Sequence, residues 1–171
     1  MKKIGIGILV LTLLLCGCAG AVKDGVKLLE EKNYEEAKKV FSKDIEKKKN
    51  LKEAYHGLGI ACFELQEYEN ALEAFELALE HEEEPSAMIY GFMGACCMET
   101  EQYEKALEIY KKALGTEDIT EELKQEIQFN LIAVHEYMGN WDAAKKQIEQ
   151  YTKAYPDDTR VEKEADFLET R

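Results

Sequence analysis

A block of five residues recurs along the chain and constrains its fold more than any other feature. Asn33-Tyr34-Glu35-Glu36-Ala37 returns as Glu67-Tyr68-Glu69-Asn70-Ala71, as Gln102-Tyr103-Glu104-Lys105-Ala106 and as Asn140-Trp141-Asp142-Ala143-Ala144. The alanines lie 34, 35 and 38 residues apart. Self-similarity at such a period marks an array of stacked repeats. Four residues after the alanine stands an aromatic in three copies, Phe41, Phe75 and Tyr110, with Ile148 in the fourth. Twelve residues before it stands Gly25, Gly59 or Gly94, with Ile132 as the exception. Apolar residues fall at helical spacing on both sides of each block. Leu58, Gly59, Cys62 and Leu65 form one stripe, and Ala71, Phe75 and Ala78 face it. Small residues let two helices approach closely, and the aromatic fills the space beside them. A single hairpin of this kind cannot bury its own apolar face, whereas a stack of them can.

This pattern resembles the tetratricopeptide repeat, a helix–turn–helix unit, over residues 18–156. The resemblance implies an all-α, right-handed α-solenoid of four hairpins, at about 19–48, 51–82, 86–115 and 119–155. A capping helix is expected within 157–171, with Val161, Ala165 and Leu168 on its apolar side. Thr120 is placed as an N-cap. Pro85 opens the third hairpin, Pro156 closes the fourth, and Asp157-Asp158 caps the last helix. Repeat 1 is the weakest copy. Asp24 stands where the others have Leu58, Met93 and Leu131, and Asp44 where two others have Ala. Its first helix is either frayed or set among polar neighbours.

Ahead of the repeats, Lys2 and Lys3 precede an apolar run of twelve residues, Ile4 to Leu15, interrupted only by Thr12. Crossing a bilayer takes about 20 such residues, so the run has the length of a signal-peptide core. It ends in Leu15-Cys16-Gly17-Cys18, which resembles a bacterial lipobox. Residues 1–17 then form a lipoprotein signal peptide and Cys18 carries the lipid. Bulky Leu15 before Cys16 disfavours that cysteine, while Gly17 fits a narrow peptidase pocket. The alternative is an ordinary leader cut near Ala19 or Ala21. Lipidation implies an exported protein anchored on the extracytoplasmic side of a bacterial membrane, held by two or more acyl chains. The repeats begin at this cysteine, which places the solenoid close to the bilayer.

In the tetratricopeptide family the first helix of each hairpin lines a concave face where peptides bind. Carried over by slot, that face holds Val22, Val26 and Leu29, then His56, Ile60 and Phe63. It continues with Met88, Phe92, Ala95 and Met98, then Phe129, Ala133 and Tyr137. Glu30, Glu64 and Glu99 recur at one slot, so the implied groove is apolar with an acidic row. The Lys, Arg and Asn of the family's carboxylate clamp are missing. Val22, His56, Gly91 and Phe129 stand at one clamp slot, and Val26, Ile60, Ala95 and Ala133 at another. The same apolar residues could equally pack between adjacent first helices. Exposure of Phe63, Phe92, Phe129 or Tyr137 distinguishes the two.

Charge narrows the partner. The chain has 22 basic and 35 acidic residues, net −13. Such a surface repels phosphates, which argues against nucleic acid. From Ala21 to Lys52 there are 10 Lys against 7 acids, and from Glu53 to Ile109 there is 1 Lys against 14. The basic repeat adjoins the lipid and favours anionic headgroups, while the acidic middle favours a basic, amphipathic protein or peptide. Cys62, Cys96 and Cys97 read as small apolar core residues. Adjacent Cys96-Cys97 and the scattered His56, His81 and His135 lack metal-site spacing. No catalytic or phosphate-binding motif is present, so no enzyme, cofactor or metal is expected. The leading expectation is a lipid-anchored scaffold for a protein partner at the bacterial envelope. The alternative is a structural subunit of an envelope machine, for outer-membrane protein assembly or for pilus or secretion biogenesis, that binds through its outer or end faces.

Overall fold

The computed structural model describes residues 21–82 and 84–169. The proposed signal peptide and Cys18 lie outside the described residues. Within them the chain is all-α: α1 (Ala21–Glu30), α2 (Tyr34–Glu46), α3 (Leu51–Glu64), α4 (Tyr68–Glu80), α5 (Ala87–Glu99), α6 (Tyr103–Leu114), α7 (Glu121–Tyr137), α8 (Trp141–Ala154) and α9 (Arg160–Glu169). Each helix packs on the next, and α1, α3, α5 and α7 also touch in succession. The first helices of the hairpins therefore line one side of the stack. This is the four-hairpin tetratricopeptide-type array that the period implies.

The glycine–aromatic pairs set the helix spacing. A Cβ added at Gly59 would lie 2.6 Å from the Phe75 ring, and one at Gly94 would lie 2.4 Å from the Tyr110 ring. Phe41 wedges against Gly25 of its own hairpin and Gly57 of the next, so one ring locks both an intra-hairpin and an inter-hairpin contact. All three aromatics are fully buried. Tyr110 brings a hydroxyl where the other copies have Phe, and buried Asn130 of the next hairpin donates to it at 3.5 Å. In the fourth hairpin Ile132 and Ile148 replace the pair and join a separate core with Tyr151, Val161 and Leu168.

Each hairpin turn uses one residue in the left-handed region: Lys32, Gln66, Glu101 and Gly139, with φ of 58°, 61°, 60° and 70°. The backbone N–H one residue later reaches back to the first helix in every copy, as in Glu67 N to Cys62 O at 2.9 Å and Asn140 N to His135 O at 2.8 Å. This is a Schellman closure, and only the fourth copy uses the glycine that suits it. Two helix starts are capped by side chains. Thr120 Oγ1 accepts from Leu123 N at 3.2 Å, and Ser86 Oγ accepts from Ile89 N at 3.5 Å. The Asp118 carboxylate accepts from Ala87 N at 3.0 Å, which ties the long turn after α6 to the start of α5.

The first hairpin forms α1 as a helix. Val22 is buried in it, while Asp24 points outward. Asp44 is buried, with its Oδ2 unpartnered. The last helix begins at Arg160, three residues after Asp157, because Asp158 Oδ1 accepts from Arg160 N at 3.0 Å. Its docking brings Glu164 toward Glu136 of α7. Glu136 is 9% exposed and its Oε1 has no partner. Burial, reinforced by the Glu164 charge, pushes the Glu136 carboxyl up to about 7.

Two predictions follow from this packing. Replacing Gly94 by Ala gains about 1 kcal/mol of helix propensity, but overpacking against Tyr110 costs about 1–3 kcal/mol. Gly94→Ala should therefore lower the denaturant midpoint, and Tyr110→Leu in the same chain should remove most of that loss. Glu136 works in the opposite sense to a salt-bridged acid. Its raised folded pKa favours the fold fully below pH 4.5, and this is lost as pH rises through about 7. The shift corresponds to on the order of 3 kcal/mol. Glu136→Gln should be the more stable protein at pH 8 and should match the parent near pH 4. Parallel melting curves that never converge would contradict this assignment.

Candidate protein-interaction surface

The expected groove residues divide into two groups. Ile60, Met98, Phe129 and Ala133 are only 5–8% exposed and belong to the core. They pack between neighbouring hairpins and leave little surface for a partner. Val26, Leu29, Phe63, Glu64, Phe92, Glu99 and Tyr137 are half-buried, and Glu30 is exposed. His56 is half-buried as a residue, but its Nε2 is enclosed without a partner. Burial, helped by the nearby Lys52 charge, lowers its pKa to about 4, so it is neutral at pH 7.

The aromatics expected on the groove face are engaged with other rings. Phe92 stacks on Phe75 at 5.3 Å and meets the edge of Phe63 at 5.4 Å. Phe63 in turn meets Tyr68 at 5.6 Å. These rings form a continuous seam between the second and third hairpins. None of Phe63, Phe92, Phe129 and Tyr137 is fully exposed, so the apolar half of the expected groove serves mainly as packing.

Phe129 is covered by a residue that sequence reasoning passed over. The Arg160 guanidinium sits 4.5 Å above the Phe129 ring. It donates to Asp158 Oδ2 at 2.8 Å, Glu126 Oε2 at 2.8 Å and the Tyr151 hydroxyl at 3.2 Å. Tyr151 donates to Asp158 at 2.5 Å, and Gln125 Nε2 donates to the same carboxylate at 2.9 Å. The Arg160 hydrogen bonds hold the Asp158 carboxyl well below the usual carboxylate range. A cation at the start of a helix ordinarily faces water. Only the position of Phe129 one hairpin earlier makes this one an end plug.

A second pattern runs along the edge where first helices turn into second helices. The residue opening one second helix meets the residue closing the next hairpin's first helix. At the first junction burial, reinforced by Glu64 at the end of the next hairpin's first helix, raises the Tyr34 pKa. At the second, burial and the Glu99 charge do the same to Tyr68. At the third, Tyr103 stacks on Tyr137 at 5.0 Å, nearly parallel. At the end of the stack the pattern stops, and Trp141 instead meets the edge of Phe167 within α9 at 6.3 Å. The tyrosines are half-buried. Glu64 and Glu99 form no ion pair among the described residues, although Glu67, Glu76 and Glu82 pair with Lys38, Lys105 and Lys52. The acidic row was legible at one slot, but the tyrosine alternating with it belongs to the other helix and joins it only after stacking.

The remaining candidate chemistry is internal. Cys62, Cys96 and Cys97 are free and buried. Burial pushes the Cys62 thiol up to about 11 and raises the other two. Among the described residues no group of three or more His, Cys, Asp or Glu is placed to hold a metal ion.

Comparison with known proteins agrees with the geometry. Tetratricopeptide-repeat models match residues 53–85, 87–117 and 126–158, all past the weakest copy. A structure of MamA is 18% identical, with a TM-score of 0.70 over 80% of this chain and 77% of that one. YrrB, described as a TPR protein with an unusual peptide-binding site, is 22% identical with a TM-score of 0.68, over 80% and 68% of the two chains. A structure from work on Pseudomonas aeruginosa pilF is 17% identical with a TM-score of 0.66, over 84% and 63%. At these identities the likeness is one of fold. A search of curated proteins found no match. With three repeat models covering more than half of its length, the chain belongs to the tetratricopeptide-repeat family.

Proposed function

We propose that this member of a family of protein-interaction scaffolds is a non-catalytic, lipid-anchored scaffold at the bacterial envelope. It holds a basic, amphipathic segment of a protein partner. The observation that carries the partner's chemistry is the row of carboxylates at Glu30, Glu64 and Glu99, none of which pairs with a cation among the described residues, beside half-buried rings. A basic segment supplies the missing positive charge, and apolar residues alternating with it would contact the ring edges. The anchor rests on Leu15-Cys16-Gly17-Cys18 after an apolar run, with Cys18 as the acylated residue. Two or more chains on one cysteine give lasting membrane attachment.

A second reading, a structural subunit of an envelope assembly machine for outer-membrane proteins or for pilus or secretion biogenesis, is favoured by Phe167. It is 41% exposed on the last helix, at the end of the stack rather than on its inner side. An exposed aromatic there suits attachment through the end face.

Metabolic labelling with an alkynyl fatty acid tests the anchor. The parent protein should be labelled and sediment with membranes, and Cys18→Ala should be neither. Label retained in Cys18→Ala, or none in the parent, would remove the lipid anchor from the proposal. In-cell crosslinking followed by identification of the captured segment tests the partner. A basic segment whose capture weakens on Glu64→Gln supports inner-side binding. Capture lost only on Phe167→Ser instead supports the fixed-subunit reading.

A further inference from the structure

The first hairpin carries a basic turn at the same end as its own beginning. α1 and α2 run antiparallel through the short turn 31–33, and they meet where a Cβ on Gly25 would lie 2.6 Å from the Phe41 ring. From that contact Ala21, the start of α1, is four residues away, and Glu46, the end of α2, is five, both toward one end of the hairpin. At about 1.5 Å per residue each stands about 6–8 Å from the contact, so Lys47, Lys48 and Lys49 leave α2 level with the start of α1. Cys18 precedes Ala21 by three residues, and three residues reach at most about 11 Å. A lipid on Cys18 would therefore attach within that reach of this end. Lys43, Lys47, Lys48 and Lys49 are exposed and form no ion pair among the described residues, whereas Lys38, Lys39 and Lys52 pair with Glu67, Glu36 and Glu82. The acids beside them leave the charge in place, since Asp44 is buried and Glu46 pairs with none of the four among the described residues. Lys48 N and Lys49 N donate to Ile45 O and Asp44 O at 2.9 Å, which fastens the turn to α2. The end of a helix favours one nearby cation, but three consecutive lysines repel one another.

We propose that the α2–α3 turn seats on the anionic headgroups of the membrane that holds the Cys18 lipid, through Lys43, Lys47, Lys48 and Lys49. This rests on the lipid anchor proposed above and adds how the solenoid stands on the bilayer. At physiological ionic strength the Debye length is about 8 Å, so lysines feel headgroups only when held close to them, and the anchor supplies that closeness. The later turns on the same edge carry the opposite sign. Because α1, α3, α5 and α7 touch in succession, the turns that join one hairpin to the next share one edge of the stack. Beyond the first, those turns expose Glu84, Glu117 and Asp157. An anionic surface draws in the first turn and repels the others, so the solenoid rises from the bilayer on its first hairpin rather than lying along it. Glu64 and Glu99 end their helices at the opposite edge and are left clear of the membrane.

Lysine footprinting on vesicles tests this. The full-length protein, purified from cells in detergent, is reconstituted with phosphatidylcholine vesicles and with vesicles containing about one third phosphatidylglycerol. Flotation is measured, and a neutral acetylating reagent then reports the reactivity of each lysine by mass spectrometry. The protein should float with both vesicles. Lys47, Lys48 and Lys49 should react about ten-fold more slowly on the anionic vesicles, with Lys111, Lys112 and Lys153 changed less than about two-fold. The protection should disappear in about 0.5 M salt, where the Debye length falls to about 4 Å. Flotation with both vesicles but equal reactivity at Lys47–Lys49 overturns the headgroup contact, leaves the anchor standing and frees these lysines for an acidic protein. Protection spread equally over Lys111, Lys112 and Lys153 overturns the contact through the first hairpin. Flotation with the anionic vesicles alone, with Lys47–Lys49 protected, supports the turn and removes the anchor. Flotation with neither overturns both.

Discussion

The contact between a ring and a glycine-faced helix governs everything else in this molecule. Phe41, Phe75 and Tyr110 each lie where a Cβ could not, so each pair of helices is set at a distance fixed by the thickness of an aromatic ring. Because the same distance recurs, the stack has a pitch. Phe41 touches glycines on both sides of a hairpin boundary, so the pitch is transmitted from one unit to the next rather than reset in each. In the fourth hairpin this pair is replaced by isoleucines, and there the packing changes character. A separate core forms around Tyr151, and a polar network takes over the closing of the array.

That closure illustrates how a solenoid ends. Each internal hairpin covers the apolar face of its neighbour, but the last one has no successor. Here α9 supplies half a successor. Val161 and Leu168 bury against the final hairpin, and Arg160 covers Phe129 while its charge is neutralised by Asp158 and Glu126. Partly buried ion pairs contribute modestly on their own. The value of this one is geometric, since it places a flat cation over a ring that would otherwise be wet. The same docking has a cost at Glu136, whose carboxyl is enclosed near Glu164 without a partner. Stability and neutral pH are in tension at this end of the protein.

The hairpins and the glycine–aromatic pairing were legible in the sequence because they depend on short-range spacing that repeats. The capping of α7 by Thr120 was legible for the same reason. What could not be read was whatever depends on which residue of one repeat meets which residue of the next. Ile60, Met98 and Ala133 occupy slots that imply a groove but equally allow packing between first helices, and the structure buries them. Phe92 is drawn into a stack with Phe75 across a hairpin boundary, a pairing between slots of different helices. Arg160 gave no signal at all, because a charged residue in a first helical turn looks the same whether it faces water or a ring. The left-handed turn residues Gln66 and Glu101 were also silent, since only Gly139 carries the expected chemistry.

These losses and gains together redirect where recognition can occur. If the apolar side chains of the first helices hold the hairpins together, they cannot also be given to a partner without loosening the stack. The first helices end in Glu30, Glu64 and Glu99, which the apolar packing does not include. The backbone groups at the turns that follow are satisfied by the Schellman closures, while the tyrosines Tyr68 and Tyr103 there pack on Phe63 and Tyr137. Glu64 and Glu99 are therefore repeated at the solenoid's own pitch by the same glycine–aromatic spacing that builds the core. The ring thickness that sets the distance between helices thus also bears on how far apart the carboxylates at the ends of the first helices stand.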